Sequence, residues 1–139
     1  MLDFDVNYWS VFVATVAGFL IGWGWYMTFQ RPWMQSMNMN PDDAALKAKM
    51  QKDGGSAMAK SLVFSLVSVF VLAGFLVTLA PATLVGALTV AFWIWLGFVL
   101  PVVANDYFYG GRKAAVLWTN GGYQLLLVLV QTLILFTWK

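Results

Sequence analysis

Residues 61–105 read SLVFSLVSVFVLAGFLVTLAPATLVGALTVAFWIWLGFVLPVVAN, a run of 45 residues without a charged side chain. One helix crosses the roughly 30 Å of bilayer hydrocarbon with about 20 residues. The run is therefore about twice too long for one crossing and must fold back. Ala80-Pro81-Ala82-Thr83 marks the break, because proline ends a helix and suits a tight turn. Two spans follow, at about 61–79 and 83–104.

The same reading extends outward. Residues 6–30 and 114–138 are also free of charge, and all 14 charged residues lie outside the three runs. These runs supply a first span at about 8–29 and a last at about 116–138. Soluble helices need charge on their exposed faces, and a disordered chain needs low hydrophobicity. With 61% hydrophobic and 10% charged residues, this chain is neither. Barrel strands would alternate in polarity, and no such alternation is present. The predicted fold class is all-α: an integral membrane four-helix bundle forming one domain over 1–139. The first span lacks a basic leader and is longer than a signal-peptide core, so it is expected to be retained.

Lys and Arg orient the spans. An even number of crossings puts both termini and the 80–83 turn on one side, which carries only Lys139. The other side carries Arg31, Lys47, Lys49, Lys52, Lys60, Arg112 and Lys113. The positive-inside rule predicts a bacterial cytoplasmic (inner) membrane protein with both termini outside. Net charge is only +2, and these basic residues flank the membrane, so nucleic acid is not an expected partner. Membrane lipids are, and Tyr8, Trp9, Trp25, Tyr26, Trp33, Trp118 and Trp138 fit interfacial belts. Trp93 and Trp95 fall mid-span and point either to internal packing or to a lipid or pigment contact.

The cytoplasmic loop 30–60 contains a further helix signal. Asn40-Pro41-Asp42-Asp43 reads as a cap, a first-turn proline and acids at the positive helix end. Lys47, Lys49 and Lys52 follow, and Gly54-Gly55 reads as a stop. The prediction is a short separate helix at about 41–52. Leu46 and Met50 give it an apolar stripe against the membrane, with Met34, Met37 and Met39 before it; a groove for a partner protein is the alternative.

Several faces carry candidate sites. Ser10, Ala14, Gly18 and Gly22 recur every four residues, so small side chains share one helix face and admit another helix closely. The neighbour is either within the chain or in a second subunit, and the motif makes a homo-oligomer an expectation. Ser61, Ser65 and Ser68 share a face of the second span, where they either bond their own backbone or line a polar vestibule. Pro101 clashes with the carbonyl of Gly97, which predicts a kink there. Asn120, Gln124 and Gln131 fall within about 40° of one another at 100° per residue. Amides are costly against lipid, so this stripe faces either another helix or a polar pathway. Asp106 closes the third span, and with Arg112 and Lys113 it forms either a surface turn or a lipid-headgroup contact.

Chemistry is restricted. Cys, His and Glu are all absent, so thiolate, His/Cys metal and Ser-His-Asp chemistry are excluded within one chain. An enzyme is not expected, and neither a metal nor a cofactor is implied. No span contains a carboxylate, which argues against proton-coupled export. Two functions stay open: an oligomeric small-solute transporter, channel or lipid/solute-binding protein, and a non-transporting accessory subunit of a larger membrane complex.

Three clusters resemble a known family. The first is Asn7-Tyr8 leading into the glycine-bearing span, then Gly22-x-x-Trp25-Tyr26 and Trp33-Met34. The second runs from Leu96-Gly97-Phe98 to Asn105-Asp106-Tyr107-x-Tyr109-x-Gly111-Arg112. The third is Trp118-x-Asn120-Gly121-Gly122-Tyr123. Together they resemble the bacterial domain-of-unknown-function family 1761, small four-span membrane proteins. The resemblance implies the topology and no activity.

Overall fold

The structure is a computed structural model that describes residues 1–36, 39–40, 42–111 and 113–138. Four helices dominate: α1 (Tyr8–Ser36), α2 (Ala44–Leu79), α3 (Leu84–Gly110) and α4 (Ala114–Thr137). All four contain a stretch long and apolar enough to cross a membrane, and the described residues contain no strand. The fold is a four-helix integral membrane bundle.

The helix ends are set by local chemistry. Asn7 Oδ1 accepts from the Trp9 amide at 3.0 Å and opens α1. Asp43 caps α2, its Oδ1 accepting from the amides of Ala45 (3.0 Å) and Leu46 (3.4 Å). Thr83 Oγ1 does the same for Gly86 at 3.1 Å and starts α3. Ala80 ends α2 in the left-handed region (φ 44°), just before Pro81. Gly111 ends α3 with φ 64°, a conformation that glycine adopts without a Cβ clash.

The sequence expectation for the loop is overturned. The separate loop helix at 41–52 does not exist; its residues form the start of α2, which continues unbroken through Gly54-Gly55 to Leu79. A glycine costs about 1 kcal/mol in a helix interior, but it ends a helix only where the backbone turns to positive φ. Neither Gly54 nor Gly55 has positive φ, and Ala, Lys, Met and Gln around them are strong helix formers. Asp43, rather than Asn40, is the cap, and Pro41 lies outside the described residues. At 36 residues α2 is about 54 Å long, well beyond the hydrocarbon thickness. α3 also runs past its expected end, so Asn105 and Asp106 lie inside the helix, not at its close.

α1, α2 and α4 surround the core, where Val11 and Ala14 meet Val69, Leu72, Leu76 and Leu135. α3 leans on α4, burying Ala87 and Ala91. Most other large apolar side chains point outward, among them Phe12, Trp23, Phe64, Val85, Phe98 and Trp118. Such a surface is untenable in water and at home in lipid. The N-terminal residues strap across α2. Phe4 stacks on Phe70 with ring centroids 4.8 Å apart, and the Asp3 amide donates to Thr78 Oγ1 at 2.7 Å. Gly74 makes room for the strap: a Cβ there would stand 2.5 Å from the Phe4 ring.

An intramembrane crevice between α1, α2 and α4

α1 and α4 run antiparallel in close register. Gly18 lies under Gln131 and Leu127, and a Cβ would meet their side chains at 2.6 and 2.8 Å. Gly22 lies under the Tyr123 hydroxyl, which such a Cβ would meet at 2.7 Å. On the small-residue face, Ala14, Gly18 and Gly22 therefore meet α4 of the same chain. Removing side chains here lets the helices approach, which is how membrane helices gain van der Waals contact without hydrophobic drive.

Two indoles hold α4 from either side. Trp25 Nε1–H donates to the Thr119 carbonyl at 3.1 Å, and Trp95 Nε1–H donates to the Gly121 carbonyl at 2.9 Å. Gly122 admits the Trp25 ring, with a Cβ position 3.5 Å from its edge. Trp95 is thus a packing residue, whereas Trp93 faces outward. Tyr26 Oη donates to Asn120 Oδ1 at 2.9 Å, and the Tyr26 and Tyr123 rings meet edge-on at 5.2 Å.

The irregularity expected near Gly97 takes the form of a π-helical turn, Trp95–Val99. Pro101 has no N–H to offer Gly97, and its ring crowds that carbonyl. The turn widens instead, and the Leu100 amide bonds the Trp95 carbonyl five residues back. Trp95, the first residue of this turn, is the one whose indole reaches Gly121.

Towards its first half α2 separates from α1 and α4 and leaves a crevice of about 650 Å³. α1 contributes Gly18, Gly22, Trp23 and Tyr26 to its wall. α2 contributes Ser61, Ser65, Ser68 and Phe64. α4 contributes Tyr123, Gln124, Leu127 and Gln131. Three faces that the sequence presents separately, the glycines, the serines and the amides, converge on this one space. No charged side chain lines it among the described residues.

The amide stripe divides by role. Asn120 is held by Tyr26 and does not line the crevice. Gln124 stands half-buried in the wall. Gln131 is buried at the deep end, its Nε2 3.5 Å from the Ala14 carbonyl. That separation is longer than an ordinary N–H···O bond of 2.7–3.2 Å. Next to it, Thr132 is fully buried and its Oγ1 has no hydrogen-bond partner. Asp106 and Lys113 are both exposed near the Gly111 turn, and Arg112 lies outside the described residues. The convergence was missed in the sequence because the rotation of each helix about its axis is set by packing. The indole clamp had a signal, a tryptophan at mid-span.

The geometry defines a class, a small helical membrane protein with a crevice between three of its helices, walled by aromatic and apolar side chains with serines and amides among them. A family model described as protein of unknown function (DUF1761) matches residues 9–136. The chain belongs to that family, as its motifs imply. No curated protein and no solved structure matches it.

Proposed function

We propose that the protein binds a small uncharged molecule, a hydrogen-bonding solute or the polar part of a lipid, in the crevice between α1, α2 and α4. Transport of that molecule across a bacterial cytoplasmic membrane is the function that follows. The observation that carries this reading is the meeting of Gln124, Gln131 and three serines in one unfilled space, lined by no charge. Amides are expensive in hydrocarbon, so a space lined by them selects a ligand able to bond them. A charged solute would find no counter-charge there. Both polar loops face the cytoplasm in this reading, on the strength of seven basic residues against one. Self-association, where it occurs, uses a surface other than the Gly18–Gly22 face.

Flux of small uncharged solutes into vesicles carrying the purified protein tests the reading. It should exceed that of empty vesicles and fall in Gln124→Leu and Gln131→Leu. Both variants folding normally with flux unchanged would leave the alternative, an accessory subunit that transports nothing. Orientation is tested by labelling: a cysteine replacing Asp3 should react with an impermeant reagent from outside cells, and one replacing Met50 should not. The reverse pattern would invert the topology.

A further inference from the structure

The terminal end of the bundle holds a second, smaller cavity of about 250 Å³. Ser10 and Asn7 line it from α1 and the strap before it, Ala73 and Val77 from α2, and Phe136 from α4. The same three helices thus line both spaces, and on each the two sets of lining residues lie close together. On α2 the step from Ser68 to Ala73 is five residues, about 7.5 Å of rise. On α4 the step from Gln131 to Phe136 is also five residues, again about 7.5 Å. On α1 it is eight residues, Gly18 to Ser10, about 12 Å. Along the helix axes the two spaces are one to two turns apart, and the core residues Val11, Ala14, Val69 and Leu72 form the septum between them.

The septum is not purely hydrocarbon. Val11, Ala14, Val69 and Leu72 contribute apolar side chains, and Gln131, in the wall of the larger cavity, reaches the Ala14 carbonyl with a long contact. Thr132, in the same turn, carries a buried hydroxyl with no partner. Core barriers are normally satisfied or apolar, because a buried polar group without a partner costs about 1–3 kcal/mol. Thr132 keeps unspent hydrogen-bonding capacity one residue from Gln131.

We propose that the two cavities are the inner and outer vestibules of one path between α1, α2 and α4, closed in this structure at a gate formed by Gln131, Ala14 and Leu72. The path suits small uncharged hydrogen-bonding solutes. The Gln131 carboxamide exchanges its weak contact with Ala14 for one with the solute as the gate opens. This proposal rests on the crevice being a binding site and adds a second vestibule and a gate.

The chain has no cysteine, which makes accessibility a direct test. In vesicles of fixed orientation, Ser65→Cys should react with an impermeant thiol reagent only from the loop side. Ser10→Cys should react only from the side of the termini. Adding Gln131→Ala should abolish the sidedness of both. Leu72→Ala trims the same septum from the opposite helix and serves if Gln131→Ala fails to fold. Ser65→Cys unreactive from either side would sink the crevice as a binding site and the path with it. Ser65→Cys reactive, but Ser10→Cys sealed or sidedness kept in both trimmed variants, would overturn the gate and leave the binding reading standing.

Discussion

Gly54 and Gly55 do not serve as hinge or cap. Both sit in mid-helix with open space where a Cβ would go. Gly54→Ala and Gly55→Ala should therefore stabilise the protein by about 0.5–1 kcal/mol each, through helix propensity alone. Thermal unfolding in detergent would show this as a raised midpoint; a drop would mean that the helix breaks there. Gly22 has the opposite character, because its missing Cβ is where the Tyr123 hydroxyl sits. The Tyr26–Asn120 bond can be weighed by a double-mutant cycle. Tyr26→Phe and Asn120→Leu should couple by about 0.6–2 kcal/mol, the range for hydrogen bonds between membrane helices. Additive effects would show that the bond contributes nothing net.

On the scale of helices, the π turn is the feature to test. Pro101→Ala restores the missing N–H, so the Trp95–Val99 turn should tighten to α-helical geometry. Losing one residue of offset rotates Trp95 by about 100° relative to the last turns of α3 and removes its bond to Gly121. The indole N–H resonance of Trp95 should move toward that of an unbonded indole. An unmoved resonance would show that packing against α4, not the proline, holds the turn. What the sequence made legible at this scale follows physical simplicity. Charge exclusion from a bilayer is an all-or-none cost, so the four apolar stretches and the Pro81 turn stand out in the chain. A glycine pair at a helix end and one in a helix interior read alike, and only φ separates them; hence the false stop at Gly54-Gly55. Pro101 announced an irregularity near Gly97 but not its form.

Across the whole molecule, the candidate residues were visible in the chain and their meeting was not. Ser65, Gly18 and Gln131 each belong to a stripe that periodicity reveals. That the three stripes face one another depends on helix rotation, on α2 parting from its neighbours and on α3 standing outside. The N-terminal strap was equally hidden, because Phe4 and Gly74 carry no local signal of their partnership. Folding within the membrane asks little of the core, since most apolar surface stays in lipid. The polar contacts are few, and each therefore orients the helices more than it stabilises them.

The unbroken run of α2 couples two regions that the sequence seemed to separate. Its lysine-bearing start and the serine wall of the crevice are one stiff rod, anchored where Leu72, Ala73 and Leu76 meet the core. A tilt of about 5° about Ala73 moves Ser61 by about 1.6 Å and Lys47 by about 3.4 Å, from 1.5 Å of rise per residue. A pull on the charged end that tilts this rod would widen or narrow the crevice like a lever. Spin labels at positions 47 and 61, each measured against a fixed site on α4, should shift in a ratio of about two to one, as the rise per residue dictates. Independent shifts would place a joint at Gly54-Gly55 and uncouple the lever from the crevice it moves.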